Sequence, residues 1–202
     1  MLDGVARKLI DPPFDLLGRF VAKTGVTANA LTIIGFVLGL LVLIALANQQ
    51  YYWALGLILG NRFLDGLDGA VARHNGVTDL GGFFDIVGDF IFFGAVALGF
   101  GLADPTKNAL VSAFLLFSFV GTEASFLAYA VVAEKRHMKT DRVGTKSFYF
   151  IEGLVEGTET LVLYVLACLK PEWFVWIAVL FGVLCWMTTS ARIAVAWFTL
   201  RD

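Results

Sequence analysis

Four of the five aspartates between residues 65 and 89 lie in the stretches Asp65-Gly-Leu-Asp68-Gly-Ala-Val-Ala-Arg73 and Gly81-Gly-Phe-Phe-Asp85-Ile-Val-Gly-Asp89. Asp65 and Asp68 are three apart and Asp85 and Asp89 four apart, so on helices each pair shares one face. Carboxylates gathered in an apolar environment must take up protons or be neutralised by cations. Oxygen-only donors suit hard divalent ions such as Mg²⁺, Mn²⁺ or Ca²⁺, and no His or Cys cluster argues for zinc. Gly66, Gly69, Ala70, Ala72, Gly81, Gly82 and Gly88 strip bulk from the same turns, so a phosphate-bearing ligand can lie against the backbone. A packing reading stands beside this one, in which the small residues serve close helix contact and the acids pair with Arg62 and Arg73. Four acids against two arginines leave that reading short of positive charge.

The chain around these acids is 58% hydrophobic and 16% charged over 202 residues, with a mean hydropathy of +0.79. That lies outside ordinary soluble composition. Several apolar windows approach the ~20 residues that a helix needs to cross a bilayer. The expected architecture is all-α and integral to the membrane. It has six transmembrane helices in one domain over residues 1–202, led by an amphipathic cytoplasmic segment at 1–22. That segment alternates Leu2, Val5, Leu9, Ile10, Phe14, Leu17, Phe20 and Val21 with Arg7, Lys8, Arg19 and Lys23, and is expected to break near Pro12-Pro13. Spans are expected at about 29–47, 51–73, 80–103, 108–133, 147–169 and 173–199, with Thr27 capping the first. The second and third carry the acids.

Basic residues set the orientation. The N-terminal segment, Arg73, the loop with Lys135, Arg136, Lys139, Arg142 and Lys146, and Arg201 fall on one side, against Lys107 and Lys170 on the other. This positive-inside pattern places both termini in the cytoplasm and the four acids roughly 8–14 Å in from that face. The first residues lack a signal-peptide pattern and are expected to be retained. Cys168 and Cys185 lie in apolar runs as buried thiols. Trp53, Trp173, Trp176, Tyr51 and Tyr52 form an interfacial belt. His74 and His137 are solitary surface residues, and no basic stripe with interleaved aromatics points to nucleic acid.

The pattern Asp65-x-x-Asp68-Gly69-x-x-Ala72-Arg73 followed by Gly81-x-x-x-Asp85-x-x-x-Asp89 resembles the signature of the CDP-alcohol phosphotransferase family. The six-span topology extends the likeness over most of the chain. Seven residues separate Arg73 from Gly81 where eight is commoner in the family, a change that alters the turn and leaves the acids in phase. Thr27-Ala-Asn29-Ala-Leu-Thr32 is similar to the family's Pro-Asn-x-x-Thr stretch, with Ala28 in place of the usual Pro.

The resemblance implies transfer of a phosphatidyl group from CDP-diacylglycerol to the hydroxyl of a polar head-group alcohol, or of a phosphoalcohol from a CDP-alcohol to a lipid acceptor. Either releases CMP and depends on divalent metal, two ions of Mg²⁺ or Mn²⁺. It implies metal ligation by Asp65, Asp68 and Asp85, with Asp89 a further ligand or the base that takes the acceptor's proton. Asp85 remains the other candidate for base. It also implies a nucleotide and diphosphate pocket lined by Asp68, Gly69, Ala72, Arg73 and Gly81, joined by Asn29 and Thr32. A homodimer in the bacterial inner (plasma) membrane is implied as well.

On the acceptor side, Glu152, Glu156 and Glu159 fall on one face of the fifth span, with Glu123 on the fourth, Arg192 on the sixth and Lys146 in the basic loop. The acids suit a neutral polyol or an amine-bearing head group, whereas the basic loop suits a phosphorylated acceptor. Cross-helix ion pairs, such as Arg192 with a Glu, are a third possibility. A different class, a divalent-cation transporter, would need a polar route across the whole membrane. Residues 53–59 and 91–103 offer no ionisable group for one, so a pocket open on one side fits better.

Overall fold

A computed structural model describes residues 3–137 and 157–201. Every regular element among them is helical: α1 (Asp3–Lys23), α2 (Ala28–Ala47), α3 (Tyr51–Asn75), α4 (Asp79–Ala103), α5 (Pro105–Lys135), α6 (Gly157–Leu169) and α7 (Phe174–Leu200), with a 3₁₀ turn at Pro171–Trp173. Lys139, Arg142, Lys146, Glu152 and Glu156, with the first part of the expected fifth span, lie outside the described residues.

Four helical stretches, Ala28–Ala47, Asp79–Ala103, Pro105–Lys135 and Pro171–Leu200, are long and apolar enough to cross a membrane. The other two expected spans do not qualify on those terms among the described residues. At 25 residues α3 has the length, but Arg62, Asp65, Asp68 and Arg73 lower its hydropathy, and α6 is described over only 13 residues. The expected break at Pro12-Pro13 is corrected, because α1 runs unbroken through both prolines. Both rings are exposed, so water or head groups can serve the carbonyls they leave without a donor.

α2 packs against α3 and α4, α4 also against α5, α5 against α7, and α1 lies on α3. The buried stripe of α2, Leu31, Gly35, Gly39, Val42 and Leu46, recurs every three or four residues, as one helix face requires. Its outer face, with Ile33, Ile34, Val37, Leu40, Leu41 and Ile44, is exposed as a lipid-facing surface would be. Glycines set the closest approaches. A Cβ on Gly99 would stand 2.8 Å from Leu46 Cβ, so α2 and α4 meet nearly backbone to backbone there. The main core gathers Phe92, Phe100, Phe119, Tyr164, Phe174 and Phe181, with the rings of Phe100 and Phe174 stacked at 4.4 Å.

Several polar groups inside the bundle are bonded to backbone carbonyls, as an environment without water favours, while Thr188 Oγ1 is buried with no hydrogen-bond partner among the described residues. Asn61 Nδ2 donates to Gly35 O at 2.8 Å, Asn108 Nδ2 to Phe100 O at 2.9 Å and Tyr164 OH to Phe93 O at 2.8 Å. Ser112 Oγ likewise donates to Ala97 O. Thr27 caps α2 as expected, its side chain accepting from Ala30 N at 3.2 Å. Gly25, with φ of 85°, makes the turn that precedes it.

α1 is joined to α3 at two glycines. A Cβ on Gly18 would come within 2.6 Å of Ala70 Cβ and 2.9 Å of its carbonyl carbon, and one on Gly66 within 2.9 Å of the Phe14 ring. Gly18→Ala is therefore expected to destabilise the protein by about 1–3 kcal/mol, as overpacking against backbone does. A lowered melting temperature in detergent checks this, with Gly82→Ala, which meets nothing within 4 Å, as a silent control.

Candidate functional site

The acids owe their meeting to a short turn. α3 ends at Gly76, whose φ of 103° is left-handed, and Thr78 starts α4 by accepting from Gly81 N at 3.1 Å. At ~1.5 Å per residue, Asp68 and Asp85 lie about 10 and 9 Å from the facing helix ends, and Asp65 and Asp89 about 15 Å. The carboxylates thus form two rungs across the α3–α4 hairpin.

On this frame, Asp65, Asp68 and Asp85 bring one carboxylate oxygen each to within 4.8 Å of one another. Asp68 is buried, Asp65 half-buried and Asp85 exposed, so the cluster grades from core to opening. Thr32 of α2 donates its hydroxyl to Asp68 Oδ2 at 2.6 Å and fixes one acid from a third helix. Three hard oxygen donors at this spacing, one held by a second residue, fit a divalent cation. Asp89 is engaged differently. Its Oδ1 accepts from Arg62 Nη2 at 2.8 Å, while Arg62 Nη1 lies 3.6 Å from Asp65 Oδ2.

A small open cleft, lined by Thr32, Gly35, Phe36, Asn61, Arg62, Asp65, Asp68, Asp85, Gly88 and Asp89, lies beside the cluster. It takes in all four aspartates and Thr32. The remaining residues expected around the nucleotide lie nearer the α3–α4 turn, in two contacts. A Cβ on Gly81 would stand 3.2 Å from Asn29 Oδ1, and one on Gly69 3.8 Å from Arg73 Nη1. Arg73 also reaches α1, where its Nε is 3.7 Å from Asp15 Oδ1, and His74 Nε2 is 3.4 Å from the same oxygen. Ala72 lies one residue before Arg73 on the same turn of α3.

Of the expected acceptor residues, the three that are described, Glu123, Glu159 and Arg192, are not among those lining the cleft. Glu123 sits half-buried on α5, and Glu159 on the first turn of α6. Arg192 on α7 donates from Nη1 to Thr122 O at 2.8 Å and lies over the Phe126 ring at 5.6 Å, so it belongs to the α5–α7 contact.

Sequence reasoning missed the inner wall of the cleft, Gly35, Phe36 and Asn61, and treated Arg62 only as a counter-charge. Polar Asn61-Arg62 in the middle of an otherwise apolar run was the available signal. Asp15, an acid one turn from Arg19 in a basic segment, was the other.

Hard oxygen donors beside a cleft in an apolar helical bundle are what a membrane enzyme of phosphate-bearing substrates requires. The chain belongs to the CDP-alcohol phosphatidyltransferase family, whose model matches residues 25–198. It is accordingly a phosphotransferase of phospholipid synthesis. It is 49% identical over 202 residues to inner membrane protein YnjF of Escherichia coli (strain K12), covering 100% of this chain and 98% of that protein. It is also 35% identical over 117 residues to archaetidylinositol phosphate synthase of Pyrococcus horikoshii, covering 54% of this chain and 62% of that protein.

Thr32→Val keeps the side-chain shape and removes the hydroxyl that holds Asp68. Mn²⁺ affinity of the purified protein is expected to fall about 10–100-fold, as loss of a partner behind a metal ligand usually costs. Unchanged Mn²⁺ binding would show that the Thr32 contact does not tune the cluster.

Proposed function

We propose that the protein transfers a phosphatidyl group from CDP-diacylglycerol to the hydroxyl of a polar head-group alcohol and releases CMP. The observation that carries this reading is the Asp65–Asp68–Asp85 cluster with Asp89 beside it in one cleft. In an apolar chain of this family, that arrangement suits a diphosphate whose lipid tails remain in the bilayer. A donor that is itself a lipid can enter from the membrane, which favours it over a small CDP-alcohol. The relative named archaetidylinositol phosphate synthase supports a lipid product with a polar head group.

Asp65, Asp68 and Asp85 are the residues that would hold Mg²⁺ or Mn²⁺. Bound there, the metal would offset the charge of the diphosphate and of the departing CMP. Gly69, Ala72 and Gly81 leave room for the nucleotide and its phosphates, with Asn29 and Arg73 at the rim. Asp89 takes the proton from the acceptor hydroxyl as that oxygen bonds to the phosphatidyl phosphorus and the bond to the CMP oxygen breaks. Arg62 fixes Asp89 by a bond at 2.8 Å, so the carboxylate is oriented before the acceptor arrives. Acceptor recognition is assigned to Glu123, Glu159 and Arg192, together with Lys146, Glu152 and Glu156. The proposed setting is the bacterial inner membrane, with both termini cytoplasmic and two copies associated.

CMP release by purified protein supplied with CDP-diacylglycerol, Mg²⁺ or Mn²⁺ and a panel of head-group alcohols tests this reading. Asp89→Asn is expected to lower turnover by about 10²–10⁴-fold, the usual worth of a general base, in a protein that still melts cooperatively. Release from no acceptor, or full activity in Asp89→Asn, would refute the donor and the base respectively.

A further inference from the structure

Arg62 is held more tightly than a counter-ion to an exposed acid needs to be. Its side chain is 16% exposed. Nε donates to Asn61 Oδ1 at 2.8 Å, and Asn61 in turn donates to Gly35 O on α2 at 2.8 Å. The guanidinium carbon lies 4.4 Å from the Phe92 ring centre and 5.3 Å from that of Phe93, so α4 supplies two aromatic faces to the cation. From this seat its two terminal nitrogens face two acids on different helices, Asp89 at 2.8 Å and Asp65 at 3.6 Å.

Asp65 belongs to two groupings. With Asp68 and Asp85 it forms the three-oxygen cluster. With Asp89 it forms a second acidic pair on the rung farther from the α3–α4 turn, and there the positive charge is supplied by the chain itself. We infer that Arg62 acts as a built-in cation between Asp65 and Asp89, so that the donor-free protein binds one divalent ion tightly, at Asp65, Asp68 and Asp85, and Asp89 stays outside the metal's ligands. This deepens the metal-dependent transferase reading and rests on it. A guanidinium presents its charge in a fixed fork and does not dissociate, so it excludes a second ion from the pair by charge and by volume. Any further ion would have to arrive with the donor, whose phosphates add oxygen ligands and negative charge. Arg62 is in this sense a positioning residue, acting through Asp89 and through the metal count.

The test is Mn²⁺ titration of donor-free protein in detergent, with free Mn²⁺ followed by electron paramagnetic resonance. Wild type is expected to bind one ion tightly. Arg62→Met is expected to gain a second ion within roughly tenfold of the first in affinity, because Asp65 and Asp89 become a free acidic pair. Arg62→Lys, which keeps the charge, is expected to bind one. Asp89→Asn does not depend on how well an Arg62 variant folds, and its single ion is expected to bind with an affinity within about threefold of wild type, against the 10–100-fold loss that follows disturbance of a metal site. Two comparable ions in wild type, a single ion in a cooperatively melting Arg62→Met, or a tenfold loss in Asp89→Asn would each overturn the role given to Arg62. If wild type binds two ions and still releases CMP, only that role fails. If it binds none and releases no CMP, the transferase reading fails with it.

Discussion

Negative charge in a low-dielectric setting is the constraint on which the rest of this structure depends. Four carboxylates on two adjoining helices repel one another more strongly as water is excluded, and leaving even one uncompensated is costly. The fold answers with graded exposure, from buried Asp68 to exposed Asp85, and with one arginine seated between aromatic rings and two of the acids. Thr32 adds a hydroxyl to the most buried acid, where a donor is worth most. The three-residue turn between α3 and α4 keeps the two rungs in register, because a longer link would let the helices slide past each other.

The same constraint explains the small residues. Gly35 and Gly39 open the face of α2 toward Asn61 and Phe92, and these two residues seat Arg62. Glycine here creates closeness between helices at one place and an open cleft at the next. Phosphate chemistry needs both, since a rigid frame must hold charge that the substrate has yet to bring.

Much of this was legible in the residues because it follows from short-range rules. The 3- and 4-residue spacings put the acids in pairs, Thr27 marked the start of α2, and the apolar runs located α2, α4, α5 and α7 to within a few residues. The family followed from the spacing of Asp65 through Asp89. What periodicity could not supply was helix rotation and pairing across long separations. Thr32 with Asp68, Arg62 with Phe92, and Asp15 with Arg73 are tertiary facts, since each requires knowing which face of one helix meets which face of another. The unbroken course of α1 through Pro12-Pro13 escaped for a different reason. The penalty of proline in a helix is set by what the freed carbonyls meet, and an exposed segment lightens it. Arg192 was read as an acceptor-side residue, with a glutamate partner as the alternative, and its guanidinium also has the Thr122 carbonyl within reach, an acceptor that no side-chain pattern reveals.

The contact of α1 with α3 has a consequence for where the chemistry takes place. Gly18 rests on Ala70 and Phe14 on Gly66, one residue from Asp65, and Asp15 faces Arg73. Ile10, Leu16, Leu17 and Phe20 of α1 are left exposed, as in a helix lying among lipid head groups. Under the proposed function, α1 lying at the bilayer surface and fastened to α3 would work as a depth gauge, setting the level of the carboxylates against the plane of the lipid phosphates so that a lipid donor would meet the acids without being lifted out of the membrane.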